Sequence, residues 1–267
     1  MKICQGKLKS RIKAGDVMLS ATLLDSRSTS TIEIFEDAGY DVVMIDREHT
    51  SLSDETIADH IRVARCLDLP CMVRVAEDCY HELNRTLDQA PDGIYVPRIR
   101  SRAQVERIME TVHYAPKGRR GLAGSSCPIG KYKGWDSVVE QIETVNRNLV
   151  VGIQIETAEA LENLDDILSV KGVDIAVVGN DDLSMGMGIP GQLDNPEYIA
   201  AVEEVIAACN RHEVLPGIAV GDVEKTLYWM EKGMKLFWLG SDVHLLHMAC
   251  CNLVNTVRQS PIVMGGK

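Results

Sequence analysis

The chain has 267 residues, 45% of them hydrophobic, enough to bury a sizeable core and close to the usual length of one α/β barrel, so one domain spanning 1–267 is expected. A formal net charge of −11 argues against a nucleic-acid or anionic-membrane partner, because phosphate recognition needs a basic surface. A small anionic substrate needs only a local arginine. Eight cysteines show no paired Cys-x-x-Cys spacing, and several stand inside apolar runs (Cys66, Cys71, Cys209, Cys250, Cys251). They read as free thiols of a reducing compartment and argue against thiolate-bound zinc. Residues 1–15 carry Lys and Arg without an apolar segment, and no run approaches membrane-spanning length, so a cytoplasmic location is expected.

In chain order, strand-like apolar runs fall at 17–23, 41–45, 71–75, 93–96, 149–155, 175–178, 214–220 and 236–239. Segments of helical periodicity follow them at 29–38, 53–67, 80–90, 101–114, 158–168, 195–212, 222–232 and 243–258. Strict alternation of short β-branched strands with helices predicts parallel pairing, and eight such units close into a (β/α)8 barrel. An open doubly wound sheet would carry a Gly-rich phosphate fingerprint after its first strand, and none is present. One insertion, at about 118–148, breaks the alternation. It is Gly-rich and basic (Gly118-Arg119-Arg120-Gly121 onward) before a helical piece at 137–148. It begins on the face of the barrel opposite the strand C-termini, and it is expected either to hold a strand or to reach over a mouth, its own or a neighbour's.

Barrel chemistry sits at the C-terminal ends of strands, and several strands here end in charge. The run through Val150–Ile155 delivers Gln154 and then Glu156-Thr157; Ile175–Val178 is followed by Gly179-Asn180-Asp181-Asp182. A buried parallel strand is a continuous aliphatic run, so carboxylates at its end need a reason. A hard divalent cation is one; capping of the next helix is the other, and both stand open on spacing alone. The second strand ends Asp46-Arg47-Glu48-His49, where carboxylates can orient an imidazole and tune it as a general base. Arg74 ends the third strand, placed to pair with Glu48 or to clamp a carboxylate or enolate oxygen. Asp88 closes a helix and by itself reads as a solvated turn residue. Asp242 reads as the cap of the last helix, and His81, His212, His244 and His247 show no metal-ligand pattern. No Lys ends a strand, which argues against a Schiff-base mechanism.

Asp46-x-Glu48-His49, Arg74, Leu87-Asp88, Pro97, Gly118-Arg119-Arg120-Gly121, Gln154-x-Glu156-Thr157, Gly172-Val173-Asp174 and Gly179-x-x-Asp182-Leu183-Ser184 with Gly188 stand in this order. The set resembles the HpcH/HpaI aldolases, class II pyruvate aldolases of the phosphoenolpyruvate/pyruvate barrel superfamily, from about residue 16 to 254. The resemblance implies a divalent metal (Mg²⁺, Mn²⁺ or Co²⁺) on Glu156 and Asp182 with Gln154 beside them. It implies a substrate carboxylate on the backbone of Gly179, Asn180, Asp181 and Asp182, with Arg74 on the keto oxygen. His49 would act as base by way of a water on the metal, paired with Asp88, which a neighbouring subunit can supply. The expected reaction is cleavage of a 4-hydroxy-2-oxo acid, of the 2-keto-3-deoxy sugar acid or 4-hydroxy-2-oxoheptanedioate type, to pyruvate and an aldehyde. The family is typically hexameric, with the last helix exchanged between subunits. The apolar stripe Val243, Leu246, Ala249, Leu253 and Val257 suits that exchange, and equally suits packing on its own barrel. Two residues depart from the family pattern: Arg47 stands where a small residue is usual, and Asn180 where Pro is common. Arg47 therefore either meets a second carboxylate on the aldehyde or pairs with Glu48. Two alternatives remain, an acyl-CoA lyase of the citrate lyase beta type on the same barrel, and a non-catalytic keto-acid-binding barrel.

Overall fold

The apolar runs are parallel strands of a closed barrel. In a computed structural model, which describes residue 3, residues 5–132 and residues 134–260, the strands are β1 (Met18–Leu23), β2 (Val42–Asp46), β3 (Cys71–Arg74), β4 (Gly93–Val96), β5 (Val150–Ile155), β6 (Ile175–Val178), β7 (Leu215–Val220) and β8 (Leu236–Ser241). Each pairs in parallel with the next, and β8 closes on β1. The helices are α1 (Lys7–Ala14), α2 (Ser30–Asp37), α3 (Asp54–Leu67), α4 (Tyr80–Asp88), α5 (Arg102–Val112), α6 (Val138–Asn148), α7 (Ala158–Glu162), α8 (Leu164–Leu168), α9 (Asn180–Gly186), α10 (Pro196–Arg211), α11 (Val223–Glu231) and α12 (Asp242–Arg258). The expected (β/α)8 barrel is therefore present, with strand boundaries within a residue or two of the sequence reading.

Two differences are local. The helix expected over 158–168 is two short helices, because the chain leaves helical geometry at Asn163 (φ −105°, ψ 18°), whose amide donates to the carbonyls of Arg100 and Glu159. The N-terminal segment, in which the sequence shows no apolar run, forms α1, bounded by the left-handed glycines Gly6 and Gly15. Leu8 and Ile12, one turn apart, enter the barrel interior with Met18, Met44, Met72, Tyr95, Ile175 and Trp238. Lys9 Nζ donates to Asp174 (2.7 Å) and to the Leu149 carbonyl (2.8 Å), which pins this plug to β5 and to the start of β6.

The insertion lies under the barrel. It has two 3-10 turns, Gly124–Ser126 and Pro128–Gly130, and then α6; no strand forms among its described residues. Ile129 packs with Ala90, Tyr114 and Val145, and the Trp135 indole N–H donates to the Ile129 carbonyl (2.9 Å). Within one chain it therefore extends the face opposite the mouth. The last helix behaves otherwise. No residue of α12 is buried, and Val243, Leu246, Leu253 and Val257 are exposed. Its apolar stripe has no cover on its own barrel.

Candidate active site

Register brings the charged strand ends together. Asp46 of β2 pairs with Arg74 of β3, and Arg74 with Tyr95 of β4. Asp46 is wholly buried and takes Arg74 in a two-point grip, Nε to Oδ1 at 2.7 Å and Nη2 to Oδ2 at 2.8 Å. The same carboxylate accepts the backbone N–H groups of Glu48 (3.0 Å) and His49 (3.3 Å), which folds the β2–α3 loop over the strand end. Arg74 Nη1 reaches Glu48 Oε2 at 3.2 Å and Gln154 Oε1 at 3.5 Å. Its guanidinium also lies 5.8 Å from the Trp238 ring, which Tyr95 meets edge-on. Burial works against the Arg74 charge, yet the Asp46 bonds and the Glu48 and Glu156 charges raise its pKa above the ordinary value. The planar fork is fixed by Asp46 on one side, with Nη1 turned to Glu48 and Gln154, and Arg74 lines the cavity.

Glu156 and Asp182 are not helix caps. Thr157 caps α7 by accepting the Ala160 N–H, and α9 starts from Gly179 without a side-chain cap. Glu156 is buried and its Oε1 accepts the Arg98 backbone N–H at 2.6 Å, while Oε2 accepts the Gln154 amide at 3.0 Å. Arg98 makes that bond from a left-handed backbone (φ 57°), an unusual conformation for a side chain of its size, held because its N–H and its Nε bond to Glu48 (3.2 Å) both converge here. Burial pushes the Glu156 carboxyl up to about 7, against the Arg98 N–H, and the neighbouring charges of Glu48 and Asp182 add to it. Gly179 makes the arrangement possible: a Cβ there would stand 2.5 Å from Glu156 Oε2.

These residues open into a cavity of about 990 Å³ at the C-terminal end of the barrel. His49, Arg74, Gln154, Glu156, Gly179, Asn180, Asp181 and Asp182, all expected at the site, line it. His49 is half-exposed and its Nε2 is 3.7 Å from Glu48 Oε2. Asn180 is fixed by two bonds, from its amide to the Ala219 carbonyl (2.5 Å) and from the Tyr198 hydroxyl to its Oδ1 (2.7 Å). The first N–H groups of α9 have no intrahelical acceptor, and its first residues, Asn180 to Asp182, line the cavity.

A divalent cation fits this donor set. Burial, with the nearby charges of Glu48 and Asp182 adding to it, raises the Glu156 carboxyl to about 7, and a hard cation would favour its charged form with oxygen ligands only. No group of three or more His, Cys, Asp or Glu among the described residues has the geometry of a complete metal cage. Glu156 and Asp182 are the two lining carboxylates that such an ion would use.

Two sequence expectations, for Arg47 and Asp242, change, and Asp88 lies apart from the cavity of its own chain. Asp88 ends α4 at the barrel end away from the mouth, where it takes Arg120 (3.0 Å); it does not line the cavity and is not brought to the His49 of its own chain. Arg47 pairs neither with Glu48 nor with anything in the cavity: it reaches Asp54 (2.7 Å) and Glu82 (2.9 Å), tying the β2–α3 loop to α3 and α4. Ser241, not Asp242, is the N-cap of α12; the Asp242 carboxylate accepts the Val243 N–H at the start of the helix and also those of Leu24, Asp25 and Ser26, which holds the β1–α2 loop. Sequence reasoning passed over Asp46 as a partner of Arg74, although both are the last residues of adjacent strands and counting the register would have paired them. It had no means of finding the Arg98 N–H or Trp238.

The HpcH/HpaI aldolase/citrate lyase profile matches residues 20–249. A 4-hydroxy-2-oxo-heptane-1,7-dioate aldolase of Shigella sonnei (strain Ss046) is 28% identical over 245 residues, 92% of each chain, and one of Escherichia coli is equally similar. Among solved structures, an HpcH/HpaI aldolase from Desulfitobacterium hafniense DCB-2 superposes with a TM-score of 0.89 at 28% identity, covering 95% of this chain and 97% of that one. The citrate synthase SbnG does so with 0.84 at 29%, covering 96% and 98%. Carboxylates gathered at the C-terminal mouth of a parallel barrel, an arginine braced beside them and a profile match over most of the length together place the chain in the HpcH/HpaI aldolase/citrate lyase family, as a carbon–carbon lyase.

Proposed function

We propose that the enzyme is a divalent-metal-dependent aldolase that cleaves a 4-hydroxy-2-oxo acid to pyruvate and an aldehyde through an enolate. The observation that carries this reading is the convergence of Arg74 Nη1, Glu156 and Asp182 on one cavity beside the free N–H groups of α9. Bound at Glu156 and Asp182, the metal ion supplies Lewis-acid polarisation of the 2-oxo group and a template for its orientation.

The chain's own residues do the rest. The N–H groups of Asn180, Asp181 and Asp182 hold the substrate carboxylate, while the Gly179 N–H donates to the Ile155 carbonyl. Arg74, kept rigid by Asp46, donates to the keto oxygen and meets the negative charge that grows there as the C3–C4 bond breaks. His49, exposed at the mouth and beside Glu48, serves as the base for the C4 hydroxyl proton. The bonding pair of C3–C4 becomes the enolate, the C4 oxygen becomes the aldehyde carbonyl, and a proton returned to C3 completes pyruvate. Asp88 is far from the His49 of its own chain, so in this reading it acts only across a subunit contact. The uncovered stripe of α12 supports a homo-oligomer in which that helix docks on a neighbouring chain.

Exchange of the pyruvate methyl protons in D₂O, followed by NMR, tests this directly. Metal-stripped protein is expected to be silent, and added Mg²⁺, Mn²⁺ or Co²⁺ to restore exchange, with Glu156→Ala inactive under all conditions. A folded, metal-supplemented enzyme that exchanges no protons would overturn the reading in favour of the acyl-CoA or non-catalytic alternatives.

A further inference from the structure

One strained residue beside the site has no task in the proposed reaction. Arg98 follows β4 with a left-handed backbone (φ 57°), a region in which glycine is at ease and a β-carbon is crowded. Its main-chain N–H serves Glu156 at 2.6 Å, a bond that any residue but proline makes equally well. The side chain is therefore kept against the preference of the backbone, and conformations of this kind persist where the surroundings use them. The turn is firmly built. Gln104 of α5 donates to the Arg98 carbonyl (3.4 Å) and accepts the Arg100 N–H (2.9 Å), and Ser101 caps α5 by accepting the Gln104 N–H.

What the guanidinium meets is Glu48. Arg98 Nε donates to Glu48 Oε1 at 3.2 Å, while Arg74 Nη1 stands 3.2 Å from Oε2, so each oxygen of one carboxylate has its own cation. The Arg98 side chain is 56% exposed and that of Glu48 8%, so the pair reaches from solvent into the mouth. Arg74 alone is a poor anchor for Glu48. Its Nε and Nη2 belong to Asp46, and Nη1 is shared with Gln154 (3.5 Å). Glu48 in turn stands beside His49, whose Nε2 is 3.7 Å from its Oε2. A Glu48 held at both oxygens stays next to the base.

We propose that Arg98 is a positioning residue: its guanidinium holds Glu48 against Arg74 and beside His49, which orients the base for the C4 hydroxyl, while the main chain of the same residue holds Glu156. The inference rests on the aldolase reading and adds to it a residue that acts through Glu48. In the addition direction, C3 of the enolate bonds to the aldehyde carbon, whose C=O pair moves to oxygen and takes a proton from His49. Arg74 keeps its two-point grip on Asp46 without Arg98, so enolate formation is spared by loss of the guanidinium and transfer of the C4 proton is not.

Arg98→Gly separates the two tasks, because glycine keeps the N–H in a conformation it prefers and removes only the guanidinium. With the metal-loaded full chain, pyruvate proton exchange is measured beside pyruvate addition to glycolaldehyde or succinate semialdehyde, whichever the wild type adds faster. We expect kcat for addition to fall by about tenfold or more with KM within about twofold, and exchange to fall by less than about threefold. Arg98→Lys, which returns a cation without the planar fork, should recover about threefold or more of the lost addition rate. Mn²⁺ affinity, read by electron paramagnetic resonance, and the thermal midpoint should match the wild type in Arg98→Gly. Unchanged addition, addition and exchange lost together, no recovery with lysine, or a matching fall in Mn²⁺ affinity overturns the inference and leaves the aldolase reading intact where the wild type exchanges. Exchange with addition to neither aldehyde also overturns it, since no C4 proton then moves. A wild type silent in exchange removes the aldolase reading, and the inference with it.

Discussion

At the scale of single residues, the site is a set of pre-formed grips. Asp46 orients Arg74 by two hydrogen bonds and organises the loop that carries His49 by two more, so one buried carboxylate fixes two of the groups that touch substrate in the proposed reaction. Glu156 depends in the same way on Gly179. The Gly179 backbone (φ −89°) is open to any residue, so Gly179→Ala tests the space and not the conformation. Its Cβ would displace Glu156 Oε2. We expect Mn²⁺ affinity, read by electron paramagnetic resonance, to fall by about tenfold or more, with the thermal midpoint changed by only a few degrees; unchanged affinity would detach Glu156 from the metal.

Among elements, α1 and α12 show how the same kind of amphipathic pattern has opposite outcomes. In α1, Leu8 and Ile12 close the floor of the barrel and Lys9 fixes the angle through Asp174. In α12 an equally apolar stripe stays uncovered. Contiguous apolar surface of this kind marks an interaction face. Leu246→Asp with Leu253→Asp is expected to dissociate the proposed oligomer, seen as a loss of mass in analytical ultracentrifugation, while circular dichroism retains the barrel signal. An unchanged mass would mean that α12 does not hold the assembly. The α12 stripe was legible in the sequence; its partner was not, because periodicity shows that a face is apolar and says nothing of what it meets.

For the whole molecule, stability couples to pH through a buried carboxyl at the strand N-termini. Asp92 lies just before β4, accepts the Cys71 N–H (2.9 Å), and burial pushes its pKa from 3.8 to about 6, with Cys71 and Arg65 opposing. Between those values the folded chain keeps a proton that the unfolded chain has released, so folding stability falls as pH rises through the window and levels off above it. The gap is worth about 3 kcal/mol. Asp92→Asn keeps an acceptor for Cys71 without the titration, so its stability relative to wild type should grow by up to about that amount from pH 4 to 6.5 in denaturant titrations. A difference that does not change with pH would show that Asp92 titrates normally.

The eight-fold alternation of β-branched runs and amphipathic helices determined the barrel, because period and length leave a parallel strand few other partners. Barrel architecture in turn puts strand-terminal residues at one mouth, which is why His49, Arg74, Glu156 and Asp182 could be nominated from the sequence. Tertiary structure decided the partnerships. It gave Arg74 to Asp46, turned the Arg98 N–H onto Glu156, removed Arg47 to Asp54 and Glu82, moved Asp88 to the far end, and gathered acidic loops around the cavity. The physical reason is range. Helix and strand patterns are set by neighbours within a few positions, whereas a charge takes whichever opposite charge or N–H the fold brings within about 3 Å, however distant in the chain.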